Sequence, residues 1–309
     1  MGCRLPVLPT PLVKAPRLPI NQAELQQVIQ PFLPEGAKLT IPIRPQSNSA
    51  VWPVDLDGTG TANGALAFYK MTDTNMELGV LILEKFGDQW RLRDHIKEIG
   101  RDFDYALFAD LNGDRAPELL LGCSGGTKGT TAGMNNDLTI YTKQSGKLVG
   151  GQRIPYIDIA MGDLTGDQRL EIAIMRRSEQ KSYMTLVTVY HYVDGSAKEA
   201  ALFELDGYPS SLTIGGAAQD RQGLFVELGM GAHSAKTVLV IPENGLWQRL
   251  FEGLDAPTFK AYPLGSGDLN GDGIVEIGKQ VAPPGTEKLA MVQIPWYEEW
   301  FQWDGQKGL

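Results

Sequence analysis

The chain has few of the residues that mark a disulfide-stapled, transition-metal or nucleic-acid-binding protein. It contains 2 cysteines and 3 histidines in 309 residues, so a disulfide framework does not hold it together. No two of the histidines, His95, His191 and His233, are spaced as metal ligands, and we expect each to be a surface or packing residue. Acidic residues outnumber basic ones by 37 to 28, which argues against nucleic acid as a partner. No apolar run reaches the ~18 residues that a membrane-spanning helix needs.

The composition is that of a folded, turn-rich protein. Hydrophobic residues make up 42% and charged residues 21% of the chain, with 36 glycines and 19 prolines. These proportions are ordinary for a soluble globular protein and exclude a disordered one. The length permits either two average domains or one large domain built on strands.

The N-terminus suggests a tether. Residues 1–20 are rich in proline and include Cys3 directly after Gly2. Gly2-Cys3 matches the end of a bacterial lipobox, in which case Cys3 carries lipid and the following residues form a flexible spacer. The alternatives are a free cysteine near a frayed terminus and N-myristoylation, although the latter motif requires Ser or Thr where this chain has Pro6.

A short acidic motif recurs along the chain. Its copies begin at residues 55, 110, 163 and 268, and the last interval is about twice the others, so a further copy is expected near residue 217. Residues 217–229 match the strand and the glycine of the motif but lack its acidic side chains. The period of about 53 residues defines five units. The four intact copies are Asp55-Leu-Asp-Gly-Thr, Asp110-Leu-Asn-Gly-Asp, Asp163-Leu-Thr-Gly-Asp and Asp268-Leu-Asn-Gly-Asp.

Each unit also contains a hairpin signal between β-rich segments. An Asx-Gly or similar dipeptide between apolar runs is the strongest short-range hairpin signal. A unit with one acidic loop and one such turn is typical of a small antiparallel sheet of about four strands, which is the blade of a propeller. We therefore predict an all-β, five-bladed β-propeller. The turns are Gly87-Asp88, Ser145-Gly146, Asp194-Gly195, Asn244-Gly245 and Asp304-Gly305.

The ends of the chain predict how the ring closes. The fifth unit is about one strand short, and a spare strand at 38–44 or 50–54 is expected to complete that last blade, leaving no long exposed edge. Before it, the capping-box pattern of Asn21 and Glu24 and an apolar stripe predict a helix at about 22–30 that covers one end of the propeller. Residues 21–309 are thus expected to form a single domain.

The acidic loops have the pattern of a calcium site. Counting the first Asp as position 1, positions 1, 3, 5 and 9 carry oxygen ligands, which a hard cation prefers, and position 7 would add its carbonyl oxygen. Glycine at position 4 indicates a backbone with positive φ. We expect three Ca²⁺ sites and a weaker fourth, although the same residues could form Asx turns without an ion. The proposed ligands are Asp110, Asn112, Asp114 and Glu118; Asp163, Thr165, Asp167 and Glu171; Asp268, Asn270, Asp272 and Glu276; and, in the weakest loop, Asp55, Asp57, Thr59 and Asn63.

From Asp55 to Leu309 the chain resembles the FG-GAP/VCBS repeats of integrin-α-type β-propellers. The resemblance lies in the repeated Asp-x-Asn-x-Asp-Gly-x-x-Glu ahead of a strand. It implies calcium at the hairpin loops and a role in extracellular recognition. The chain departs from integrin heads in having five units rather than seven, in the lost loop near Ala217 and in the two carboxylates of the Asp55 loop.

Two further motifs could carry chemistry. Gly122-Cys-Ser124-Gly-Gly matches the nucleophile elbow of hydrolases, but the following residues have no helical pattern, so we expect a chance match. Trp296, Tyr297, Trp300 and Trp303 either pack in the closing blade or form an aromatic platform for a sugar or a protein.

These observations predict a calcium-stabilised binding module of the cell envelope, secreted or lipid-anchored. We expect a monomer that binds an extracellular protein or glycan. The alternative is a polysaccharide lyase or hydrolase that uses acidic residues at the central channel. A purely structural spacer is the third hypothesis, because a fold alone does not give a function.

Overall fold

The computed structural model describes residues 22–45, 47–72, 76–87, 89–125, 136–253, 256–286, 288–290 and 293–306. The chain divides into two compact units, Met1–Pro155 and Tyr156–Leu309. Both units are built from antiparallel sheets, which confirms the predicted all-β class. None of the helices in the described part of the chain is long and apolar enough to span a membrane.

The first unit contains a helix and two sheets. Helix α1 (Gln22–Ile29) continues into a short 3-10 helix (Gln30–Phe32), close to the predicted range. In the first sheet β1 and β2 lie one after the other along one edge of β3, and β4 and β5 follow on its other edge. The second sheet has the order β6-β7-β8-β9. The strands are β1 (Ala37–Leu39), β2 (Val51–Val54), β3 (Gly64–Met71), β4 (Glu77–Phe86), β5 (Gln89–Ile99), β6 (Asp102–Ala109), β7 (Glu118–Ser124), β8 (Asn136–Gln144) and β9 (Lys147–Tyr156).

The second unit contains three sheets. Their orders are β10-β11-β12-β13, β14-β15-β16-β17 and β18-β19-β20. Its strands are β10 (Asp158–Gly162), β11 (Glu171–Arg177), β12 (Met184–Val193), β13 (Ser196–Asp206), β14 (Tyr208–Ala218), β15 (Arg221–Gly231), β16 (Ser234–Glu243), β17 (Leu246–Leu250), β18 (Ser266–Gly267), β19 (Glu276–Val281) and β20 (Tyr297–Phe301). In each of these three sheets, neighbouring strands follow one another along the chain, as they do in hairpin-rich repeats.

Four of the five predicted dipeptide turns join strands; Asp304-Gly305 follows β20, and the described residues contain no strand after it. Both residues have positive φ in Ser145-Gly146, Asp194-Gly195 and Asn244-Gly245. This backbone matches the right-handed twist of the strands that a two-residue turn connects. Gly87 is likewise left-handed, between β4 and β5.

The predicted closing strand is wrong. Val51–Val54 pairs with the first half of β3, with Val54 opposite Gly64. Ala37–Leu39 pairs with the second half of the same strand. The reason is local: the Asp55 loop folds tightly and returns the chain beside β2, so that the Asn63 N–H donates to the Val54 carbonyl at 3.1 Å. A strand already paired through such a loop belongs to the first sheet rather than to the fifth.

The helix packs on a face of the first sheet rather than capping an end. Its buried residues Leu25 and Ile29 join Ala65, Tyr69 and Leu81 in one core cluster. On the opposite face of β3, Leu66 and Phe68 pack in a second core cluster, which includes residues of the second sheet. Because both faces are covered, β3 is nearly continuously apolar, as expected for a fully buried strand. In the second unit, comparable clusters lie between the third and fourth sheets and between the fourth and fifth.

Candidate metal-binding loops

The four acidic motifs occupy equivalent places in four of the sheets. Each links the first strand of a hairpin to the second: β2 to β3, β6 to β7, β10 to β11 and β18 to β19. In the fourth sheet the corresponding strands, β14 and β15, are joined by the two residues Gln219 and Asp220. The predicted fourth repeat is therefore present as a hairpin, but the whole loop has been replaced by a tight turn.

The loop backbone is the same in all four copies. The predicted left-handed glycine at position 4 is confirmed, with φ of +70° at Gly58, +80° at Gly113, +77° at Gly166 and +79° at Gly271. Position 6 is also left-handed, and here only two copies have glycine. The residues are Gly60, Arg115, Gln168 and Gly273, with φ between +68° and +88°.

The carboxylate at position 1 organises each loop. Its Oδ2 accepts a hydrogen bond from the N–H of position 6 in all four copies, at 2.8 Å for Arg115 to Asp110. In three copies its Oδ1 also accepts from the glycine at position 4, at 2.7 Å. The position 5 carboxylate accepts from the position 7 amide in the same three copies. The Asx-turn geometry that the sequence allowed is thus present.

Position 9 carries a buried carboxylate in three loops. Glu118 is 3%, Glu171 0% and Glu276 5% exposed. Burial, together with the negative charges of Asp114 and Asp110, raises the pKa of Glu118 to about 7. Burial likewise raises the pKa of Glu171. A buried carboxylate beside other carboxylates is costly unless a cation compensates it.

Two residues from the neighbouring strand reach these carboxylates. His191 on β12 places Nδ1 3.2 Å from Oε1 of Glu171. Gln302, just after β20, donates from Nε2 to Asp272 and to Glu276, at 2.8 Å in each case. No sequence motif marks either residue, because they lie 20 and 26 residues from the glutamates that they contact. The β11–β12 register pairs Ile172 with Tyr190 and so brings Glu171 beside His191, but the connection that sets this register, residues 178–183, contains no Asx-Gly signal.

The donor set of the loops consists of oxygen atoms and fits a hard cation. Carboxylate, amide and hydroxyl oxygens at positions 1, 3, 5 and 9 are the ligand types that Ca²⁺ takes. In the described conformation these oxygens take part in hydrogen bonds with loop amides and with other side chains of the same loop. Within the described ranges, no three His, Cys, Asp or Glu side chains converge on one point as a metal site would need.

The Asp55 loop has the weakest donor set. Asn63 replaces the glutamate at position 9 and its Oδ1 accepts from the Leu56 N–H at 2.8 Å. The Thr59 hydroxyl donates to Asp57 at 3.0 Å. Only Asp55 and Asp57 contribute charge here, which is the reason this loop is expected to bind calcium most weakly.

The aromatic residues near the C-terminus do not share one surface. Trp303 is 5% exposed and packs with Phe225 and Ile277 in the core of the second unit. Trp300 lies over Gly278, whose missing side chain makes room for its ring. Tyr297 is 43% exposed. Trp303 thus takes the core-packing alternative, and Tyr297 is the member most open to solvent.

The remaining predicted positions fall as follows. Ser124 ends β7, and its hydroxyl donates to the Asp102 carbonyl at 3.2 Å. Cys3 and Asn21 lie outside the described residues, as do 126–135.

Cys123 is buried and unpaired with another cysteine, and burial strongly raises the pKa of its thiol. A protonated, buried thiol of this kind is inert.

Comparison with known proteins gives no family for this chain. No family model matches it, and no curated protein matches by sequence. Among solved structures it is similar to one titled "Crystal structure of exotype rhamnogalacturonan lyase YesX", with 14% identity and a TM-score of 0.39. That match covers 70% of this chain and spans 54% of the other.

Proposed function

We propose that this chain is a calcium-stabilised binding module of the five-bladed propeller type, of the kind found in FG-GAP/VCBS repeats. The observation that carries the proposal is the repeated loop, with one backbone conformation in four sheets and a buried glutamate at position 9 in three of them. The fourth sheet makes the same connection with two residues, so a longer loop with a buried glutamate is not needed simply to turn the chain.

Calcium would be held by the loops that begin at Asp110, Asp163 and Asp268, and more weakly by the loop at Asp55. A bound cation would compensate the buried carboxylates and fix the connection between the first two strands of each sheet. In the Asp163 loop, Thr165 supplies a hydroxyl at position 3 and donates to Glu171 at 3.1 Å. His191 would then hold Glu171 in place from the neighbouring strand.

The proposed setting is outside the cytoplasm, where calcium is abundant, with the chain secreted or anchored through Cys3. The proposed ligand is a protein or a glycan, and the module acts as a monomer without catalysis. Rigid sheets with loops at their ends suit recognition, because such a scaffold positions loop and strand-end residues precisely enough to bind.

Metal content of purified variants tests the calcium assignment. We expect one Ca²⁺ for each loop with a position 9 glutamate after dialysis against calcium. Asp163→Asn should remove one ion. Asp220→Asn, which changes an exposed aspartate in the two-residue turn of the fourth sheet, should remove none. Equal metal content in the two variants would show that the Asp163 loop does not bind calcium.

A further inference from the structure

Two exposed tyrosines lie at strand ends of the third and fourth sheets. Tyr183 precedes β12 and is 53% exposed, and Tyr208 begins β14 and is 42% exposed. The Tyr183 carbonyl accepts from the Gly207 N–H at 2.8 Å, so the two tyrosines lie on adjoining backbone. Both lie away from the Asp163 loop, which joins the other ends of β10 and β11.

An arginine completes this group. The guanidinium carbon of Arg177 lies 5.6 Å from the centre of the Tyr208 ring, within cation–π range. Residues 176–183 contain Arg176, Arg177 and Lys181 and one acid, Glu179, and the exposed Asp206 on β13 lies opposite Met184. This positive segment stands out in a chain whose net charge is −9. We call Arg177, Tyr183 and Tyr208 the tyrosine–arginine patch.

We propose that the tyrosine–arginine patch binds a carboxylate-bearing glycan, such as a short uronate chain. This inference rests on the proposed binding function and gives that function a substrate class. Tyrosine offers a flat apolar ring and a polar tip, which suits the mixed faces of a sugar. The guanidinium fork of arginine matches a carboxylate with two parallel hydrogen bonds.

The size of the patch favours a glycan over a protein partner. A specific protein interface buries about 800 Å² on each side around an apolar core. The patch offers two amphipathic rings and one cation at the edge of two sheets. Such a surface covers a few sugar residues rather than the core of a protein interface.

Calorimetric titration with defined oligosaccharides in calcium buffer tests the inference. We expect tetra- to hexagalacturonate to bind the full chain, and neutral galacto-oligosaccharides of the same length to bind at least tenfold more weakly. Tyr208→Ala and Arg177→Gln should each weaken binding at least tenfold, because each removes one recognition element. Arg177→Lys, which keeps the charge without the fork, should have an intermediate effect.

A matched control exists in the first unit. Arg91 lies 4.7 Å from the ring centre of Phe86, which is 66% exposed. Arg91→Gln removes an equivalent exposed cation–π pair and should leave galacturonate binding unchanged. Thermal unfolding of every variant identifies any loss that comes from misfolding, and Tyr208→Trp, which retains a ring, should retain binding if the ring is what matters.

The outcomes separate this inference from the calcium proposal. If oligogalacturonates fail to bind, or bind all variants equally, the patch assignment is wrong. If poly-glutamate binds as tightly with the same loss in Arg177→Gln, the patch recognises acidic peptides and the glycan assignment is overturned. Calcium binding, measured on the same samples, reports independently on the loops. If the protein binds the sugar but no calcium, only the calcium proposal is contradicted.

Discussion

The backbone N–H of Leu111 donates a hydrogen bond to Oε2 of Glu118 at 2.9 Å. The same contact joins positions 2 and 9 in the other three loops, from Leu56 to Asn63, from Leu164 to Glu171 and from Leu269 to Glu276. The residue at position 9 therefore closes the loop through this hydrogen bond without a bound ion. This explains how the Asp55 loop keeps the common conformation with an uncharged residue at that position.

The two position 4 glycines of the first unit should differ in their tolerance of a side chain. Gly58 and Gly113 are both left-handed, but a Cβ at Gly58 would lie 1.9 Å from the Arg115 carbonyl oxygen, whereas one at Gly113 would meet nothing within 4 Å. We expect Gly113→Ala to lower the free energy of unfolding by about 1–2 kcal/mol, the usual penalty for a left-handed residue with a side chain. Gly58→Ala should cost a further 1–3 kcal/mol, roughly, from overpacking. Urea unfolding measures both, and equal losses would contradict the close contact between the two loops.

A buried ion pair holds the long connection between β17 and β18. Lys260 and Glu227 have side chains that are 0% and 1% exposed, and Nζ lies 3.1 Å from Oε2. Glu227 also accepts from Thr237 and from the Leu264 N–H. Because Lys260→Met leaves a buried charge unpaired, it should lower stability by about 3–5 kcal/mol.

Adding Glu227→Gln to Lys260→Met supplies the control for this prediction. The amide oxygen still accepts from Thr237 or Leu264 but carries no charge, so the double variant should recover most of the lost stability. Denaturant unfolding of the two single variants and the double variant completes the cycle. Strictly additive losses would show that the pair does not interact.

The stability of the metal-free protein should fall as the pH rises from about 4.5 to about 7. The folded-state pKa of Glu118 is raised from 4.5 to about 7, chiefly by burial. The folded state therefore binds this proton more tightly than the unfolded state. The resulting stabilisation is complete below pH ~4.5 and is lost by pH ~7, with a size of at most about 3 kcal/mol.

Glu118→Gln should reduce this pH dependence in chelator, as measured by unfolding at pH 5 and pH 8, while Glu171, whose pKa burial also raises, keeps its own contribution. Calcium should reverse the trend, because the ion and the proton compete for one carboxylate, so the stabilisation by calcium should grow with pH. Identical pH slopes for the parent and Glu118→Gln in chelator would mean that Glu118 does not titrate in this range.

Local patterns carried most of what the sequence could predict. The left-handed glycine at position 4, the two-residue turns and the helix at Gln22–Ile29 depend on neighbouring residues and are confirmed. The closing strand was wrong because a short apolar segment fits several sheet edges, and only the Asp55 loop decides that Val51–Val54 pairs with β3. His191 and Gln302 were missed because contacts across a hairpin depend on strand register, which motif matching does not use. Trp303 lies in the core although its neighbour in sequence, Gln302, reaches the acidic loop.

Thermal unfolding in excess calcium and then in chelator tests the central claim most directly, with metal content determined on the same sample. With free calcium about 100-fold above its dissociation constant, each occupied loop stabilises the folded state by about 2.7 kcal/mol. We therefore predict a higher melting temperature in calcium, with one ion bound for each of the loops that begin at Asp110, Asp163 and Asp268. An unchanged melting temperature together with no bound metal would contradict the account and leave the four loops as hydrogen-bonded turns.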